Sequence, residues 1–241
     1  MATAVLPEIG SAPHKAIAPW WHTAILIAFF VLTAAAGAAL QHRAQGRADL
    51  VEHRPDVALL YASLVAGEWG LVYYVWKGGL RRSGIGLLQF VGGKWTSFRA
   101  VFLDVILAFG IWVLWQGISF LWARWSGAGR VASLSPLMPH GIAEAVLWVL
   151  LSVSAGISEE VVFRGYLQRQ LTALTGRTSL ALILQVAVFG IAHGYQGVRS
   201  CLAIAIYGSL FTLLALWRKS LRPGMIAHAW TDIAGGLLGL R

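Results

Sequence analysis

Charge is what this chain has least of. Only 12% of its 241 residues are charged, while 58% are hydrophobic. A soluble domain carries about a quarter charged residues, because a folded core needs a polar shell. This chain has no material for such a shell, so lipid must be part of its solvent. Acidic residues are scarcer still, ten against 19 Lys and Arg. The resulting net charge of +9 is not a nucleic-acid signature, since no basic stripe or aromatic platform accompanies it. The cations sit in short loops between apolar runs, where anionic head groups and the positive-inside rule place them. Cysteine is nearly absent. Cys201 stands alone, which excludes an intrachain disulfide and a cysteine-based metal cluster. In its apolar segment it reads as a small core residue. Internal repeats, low-complexity tracts and linkers long enough to separate two domains are absent as well.

What is there is a series of apolar runs, at about 23–40, 57–76, 101–123, 141–157, 180–193, 200–217 and 223–240. They predict an all-α, polytopic transmembrane bundle of about seven spans. The chain then divides into a tail (1–22), N-terminal transmembrane helices (23–140) and C-terminal helices (141–241), within one integral membrane domain. The 12 Trp residues suit the membrane–water boundary. Short basic connections are expected from Arg43 to Arg54, Lys77 to Arg99, Arg124 to Pro139, Arg164 to Arg177 and Arg218 to Pro223. Lys and Arg are more numerous on the side that holds the N-terminus, which puts that terminus in the cytoplasm. The first run contains Ala34-Ala35-Ala36, which has the look of a signal-peptidase site. Trp20 and Trp21 at its entry, and its spanning length, favour a retained anchor.

Six of the acidic residues fall in or beside apolar segments: Glu68, Asp104, Glu144, Glu159, Glu160 and Asp232. An ionisable group at membrane depth costs roughly 2.5 kcal/mol or more, so it is expected to have a partner or a function. Glu159-Glu160-Val161-Val162-Phe163-Arg164 places Glu160 and Arg164 one helical turn apart, in the favourable order for pairing. Glu159 points about 100° away and is left facing another surface. That asymmetry suits a supporting carboxylate beside a general base; an interfacial helix end with solvated charges is the equal alternative. Phe189-Gly190-Ile191-Ala192-His193 ends an apolar run in a histidine, which alone is more often an interfacial residue than a catalyst. His228-Ala229-Trp230-Thr231-Asp232 puts an imidazole and a carboxylate on one apolar-flanked face. Such a pair can orient a ring, donate to an oxyanion or bind metal; its structural alternative is a helix-packing hydrogen bond. Together the three clusters bring two carboxylates, two histidines and an Asp to successive helices.

At these residues the chain resembles the CPBP family of intramembrane proteases, the CAAX-protease and bacteriocin-processing group. That family is marked, in order, by Glu-Glu-x-x-x-Arg, Phe-x-x-x-His and His-x-x-x-Asn or Asp. The likeness covers roughly 145–240, and Phe163-Arg164-Gly165 followed by Leu167 is also typical. It implies hydrolysis of a peptide bond within a membrane, here a bacterial plasma membrane. Glu159 and His193 would activate a water, and Glu160 would be held by Arg164. His228 and Asp232 would orient the substrate carbonyl or stabilise its oxyanion, with Phe189 in support. The implied partners are a membrane-associated peptide or protein substrate and the bilayer. Asp232 is the position to watch, since an Asn there donates a hydrogen bond and an ionised Asp does not. Glu159, His193, His228 and Asp232 would in principle suit a divalent metal such as zinc. No HExxH motif is present, and the sequence leaves metal-assisted and glutamate-only chemistry open.

Two other readings compete. One is a non-catalytic membrane scaffold or binding protein that uses the same polar residues as interhelical glue. The other is a small transporter with Glu68, Asp104 and Asp232 along an ion path, though no inverted repeat supports it. A serine protease is weaker, because Gly208-Ser209 lacks a flanking motif. Seven simple spans would also leave Glu159 and His193 near opposite ends of successive helices, on the order of 20 Å apart. The site therefore demands one long helix from about Ile142 to Leu171, with Glu159 inside the bilayer and lining a polar, water-filled cavity.

Overall fold

In lipid every backbone N–H and C=O must find its partner within the protein, and apolar runs of this length satisfy that rule as helices. The computed structural model describes residues 15–45, 56–126 and 137–239. It consists of α1 (Trp20–Gln45), α2 (Val57–Val75) running into a π-helical turn (Trp76–Leu80), the short α3 (Leu87–Phe90) and α4 (Phe98–Ser126). Then come α5 (Gly141–Glu159), a π-helical stretch (Glu160–Leu167), α6 (Gln168–Thr175), α7 (Thr178–Ala192), a 3-10 turn (Gly194–Gln196), α8 (Val198–Arg218) and α9 (Arg222–Leu238). No strand occurs among the described residues. The tail before residue 15 and most of the expected 43–54 and 124–139 connections lie outside the described residues. Ala34–Ala36 falls in the middle of α1.

Among the described residues, five helices are long and apolar enough to cross a membrane: Trp20–Arg43, Val57–Leu80, Phe98–Trp125, Gly141–Thr175 and Val198–Arg218. The other two apolar runs form α7, with 15 residues, and α9, with 17. The expected connection from Arg164 to Arg177 needs correction. Its residues continue the helix as far as Thr175, because Arg164 is not a loop cation but a buried one paired with Glu160. α5, the π stretch and α6 thus form one rod of 35 residues, which contains the long helix expected from Ile142 to Leu171. The rod is about 52 Å long and exceeds a hydrocarbon core of about 30 Å. Gly176, at φ 69°, ends it by donating its N–H to the Thr172 carbonyl, and α7 folds back alongside.

Small residues let the helices that carry the polar groups approach closely. A Cβ at Gly156 of α5 would stand 2.8 Å from the Ala229 amide nitrogen of α9. One at Gly190 of α7 would meet the Cys201 carbonyl oxygen of α8 at 2.6 Å. Farther along the α5–α9 seam, the Trp148 indole donates to the Asp232 carbonyl at 2.9 Å. The apolar core sits where α1, α2, α3, the π stretch and α7 meet, around Leu26, Phe30, Phe90, Phe163, Leu167 and Phe189.

A second polar knot ties the chain together away from that seam. Asp104 of α4 is fully buried and accepts from Arg218 Nε at 3.0 Å and from the Trp95 indole at 2.8 Å. Arg222 Nε lies 3.2 Å from Oδ2, the oxygen that the Trp95 indole also bonds. The α8–α9 turn is also bonded to the segment after α3, through Leu221 N–H to the Val91 carbonyl at 3.0 Å. Asp104 is therefore the keystone of an ion cluster that fixes where α9 begins. Asp104→Ala leaves two arginines without their carboxylate and is expected to cost about 3–5 kcal/mol. Thermal unfolding in detergent would show it as a large drop in Tm; an unchanged Tm would mean the cluster holds nothing.

Candidate active site

The site begins with an expensive pair. Glu160 and Arg164, the first turn of the π stretch, are almost wholly removed from solvent, and Arg164 Nη1 lies 3.0 Å from Glu160 Oε1. Burial of both charges is tolerable only if each has opposite charge or polarisable surface around it. The guanidinium supplies both needs: it faces Glu160, and it lies 4.0 Å from the Phe189 ring centroid and 5.3 Å from that of Phe211. Glycines make the room. A Cβ at Gly208 would stand 2.7 Å from the Phe189 ring and 2.9 Å from Arg164 Nη2, and one at Gly224 2.8 Å from Glu160 Oε2.

On this pair rests His228 of α9, which is 5% exposed. Its Nδ1 is 3.3 Å from Glu160 Oε1. Its Nε2 looks the other way, 3.6 Å from Glu159 Oε2 and 3.7 Å from Asp232 Oδ2. The ring stacks on Phe211, with centroids 5.3 Å apart and planes 13° from parallel, and meets Tyr207 edge-on. Tyr207 is held in turn by a hydrogen bond from its hydroxyl to Thr231. One imidazole is thus fixed by a buried carboxylate on one nitrogen and offers the other to two carboxylates. Those two are more open: the Glu159 side chain is 24% exposed and that of Asp232 38%. Glu159 Oε2 makes no hydrogen bond.

His193 joins by level rather than by contact. The rings of Phe163 and Phe189 touch, with centroids 5.0 Å apart, so these positions lie side by side on antiparallel helices. One turn beyond each, in the same direction, come Glu159 and His193. The opposite-ends problem of a simple span drawing is removed by the continuous rod. His193 Nδ1 bonds the Phe189 carbonyl at 2.9 Å, and its ring packs on Phe189, which also meets Arg164 and His228. It makes no hydrogen bond to Glu159.

Two features escaped the sequence reading. Phe211 and Tyr207 carry no polar pattern that would mark them as the walls of the His228 pocket. Glu68 stands out in the sequence for its cost, and outside the ion-path reading it has no role there. Midway along the Val57–Leu80 span, it accepts a hydrogen bond from Ser154 of α5 and lies within electrostatic range of Glu159, His228 and Asp232. Asp104, its proposed companion on an ion path, belongs instead to the arginine cluster. As for a metal, no three His, Cys, Asp or Glu side chains among the described residues are arranged to hold one.

Residues 141–234 match the family described as type II CAAX prenyl endopeptidase Rce1-like. This agrees with the resemblance to the CPBP family carried by the three motifs. The Rce1-like segment opens on the first residue of α5 and closes two residues after Asp232, so Glu159, Glu160, Arg164, Phe189, His193, His228 and Asp232 all lie inside it, whereas Glu68 does not. The family is one of proteases, which supports a peptidase at family level; with five helices able to cross a membrane, the chain is an integral membrane protein. No curated protein and no solved structure matches the chain.

The buried pair can be weighed directly. Arg164→Ala strands the Glu160 carboxylate and is expected to destabilise by about 3–5 kcal/mol, whereas Glu160→Gln combined with Arg164→Met removes both charges and costs less. Melting temperatures of the two variants in detergent give the comparison. Equal losses would show that packing volume, not the stranded charge, holds the site.

Proposed function

We propose that the protein is an intramembrane endopeptidase that cleaves a membrane-associated peptide with a carboxylate-activated water. The observation that carries this reading is His228, clamped at Nδ1 by the buried Glu160 and facing Glu159 and Asp232 at Nε2, within the Rce1-like segment. Glu159 takes a proton from water, and the resulting hydroxide adds to the scissile carbonyl. The oxyanion that forms is met by the Nε2–H of His228, a ring already held by Glu160 at Nδ1 and flanked by Asp232 before charge develops. The proton held by Glu159 then passes to the leaving amine as the C–N bond breaks. Glu160 and Arg164 fix the ring of His228, and His193 orients the water from the neighbouring helix.

Such chemistry needs water at membrane depth, so Glu159, His193 and Asp232 are assigned to a wet, polar cavity in the C-terminal half. α7 and α9 complete the bundle as short or tilted sixth and seventh spans, with the N-terminus in the cytoplasm of a bacterial plasma membrane. The substrate class suggested by the family is a prenylated peptide ending in Cys, two aliphatic residues and a variable one. The mechanism uses protein groups alone, so a chelator is expected to leave the rate unchanged.

Glu159→Gln keeps the shape of the side chain and removes the base. In proteoliposomes with a quenched fluorescent farnesylated peptide of that type, and an unprenylated transmembrane peptide beside it, kcat is expected to fall about 100-fold or more. Cleavage at the wild-type rate would reject Glu159 as the base. Absence of cleavage by the wild type for either peptide, with binding retained, favours the scaffold reading.

A further inference from the structure

Away from the His228 site, the segments that flank the first and second spans enclose a crevice of about 500 Å³. One wall is Lys15 to Pro19, just before α1; the other is Arg82, Ser83 and Ile85, just after the π-helical turn that ends α2. Hydrogen bonds fix these walls in place. Gln170, wholly buried on α6, accepts from the Ile17 and Ala18 N–H groups at 2.8 and 3.2 Å. Ser83 donates its hydroxyl hydrogen to the Ile17 carbonyl at 2.7 Å, and a Cβ at Gly79 would stand 3.2 Å from the Ile17 side chain. The fold thus brings Lys15 and Arg82 to one preformed crevice whose lining holds no carboxylate. The neighbouring cations are engaged elsewhere, Lys77 over the Tyr73 ring and Arg81 over that of Trp76.

Depth selects the ligand. The crevice lies between the start of the Trp20–Arg43 span and the end of the Val57–Leu80 span, where hydrocarbon gives way to head groups. Trp20 and Trp21, both exposed, mark the same level. Lys94, Arg99, Arg177 and Lys219 lie at helix ends on this side too, while the Asp104 carboxylate is already held by Arg218 and Arg222. The volume falls within the roughly 300–1,000 Å³ of small-ligand sites. Two cations beside Ile17, Pro19 and Ile85 suit a ligand with a negative head and an apolar body. We propose that the crevice binds an anionic phospholipid, its phosphate between Lys15 and Arg82 and its acyl chains along the outer faces of α1 and α2. Those faces present Ile25, Phe29 and Leu32 of α1 and Trp69 and Tyr73 of α2. Basic pockets between transmembrane helices hold anionic head groups in this way, whereas a zwitterionic lipid brings a cation of its own. The inference is independent of the protease reading.

The test uses the full chain, purified in a neutral detergent and stripped of lipid. Phosphatidylglycerol and phosphatidylcholine of equal, short chain length are titrated in, with thermal unfolding and native mass spectrometry as readouts. Phosphatidylglycerol is expected to raise Tm, with a single lipid retained, at concentrations where phosphatidylcholine has no effect. Lys15→Gln combined with Arg82→Gln should weaken its apparent affinity about tenfold or more and leave the lipid-free Tm in place. Ala16→Trp keeps both charges, fills the crevice and should weaken binding to a similar extent. Lys94→Gln combined with Arg99→Gln removes two exposed cations outside the crevice and should change affinity less than about twofold. An equal response to both lipids, an equal loss in the Lys94 and Arg99 variant, or unchanged binding by the Ala16→Trp protein would each overturn the proposal. Glycerol 3-phosphate separates the two sources of phosphate. If it reproduces the rise in Tm at the same concentrations, the crevice takes a free phosphate and the lipid assignment falls.

Discussion

The structure turns on a carboxylate and a guanidinium that have both left water. Glu160 and Arg164 face each other inside the π-helical stretch, and most of what surrounds them exists to make that tolerable. Phe189 and Phe211 provide aromatic faces for the cation, and Gly208 and Gly224 provide space. A buried ion pair is a poor device for stability, since desolvation offsets much of its attraction. Its value here is geometric. The free side of Glu160 holds the imidazole of His228, so the position of one charge pair decides where the ring of another helix stands.

From that anchor the remaining polar groups sort by exposure. The carboxylates that hold the architecture are sealed: Glu160 beside the buried Arg164, and Asp104 beside the partly open Arg218 and Arg222. Charges that face His228 Nε2 stay partly open, as Glu159 and Asp232 do. The same division separates an ion cluster built to fix a helix turn from one able to meet a ligand. The π-helical geometry between Glu160 and Leu167 falls within the rod where the pair is buried, in keeping with the frequent occurrence of such turns at functional sites.

The residues of the candidate site were legible one by one, because each breaks the chemistry of its surroundings. A Glu or His in an apolar run stands out against lipid, and spacing of four residues already joins Glu160 to Arg164 and His228 to Asp232. Their mutual arrangement was less legible. Read as a chain of spans, Arg164 began a loop and Glu159 sat at a membrane surface. The continuous rod from Gly141 to Thr175 overturns the loop, since pairing and burial make Arg164 a helix-interior residue. Phe211 and Tyr207 gave no sign at all, because apolar walls look alike whatever they enclose.

By itself the sequence determined the solvent, the helical class and the identity of the polar groups, through too little charge for a water-facing shell and three motifs of costly residues. Tertiary structure decided which of those groups meet. It set Glu159 level with His193, gave both nitrogens of His228 carboxylate neighbours, drew Glu68 to the site from a helix with no motif, and took Asp104 away to the arginines. The reason is that periodicity specifies the face a side chain occupies on its own helix, whereas contact between helices depends on where small residues such as Gly156, Gly190 and Gly224 let two backbones close.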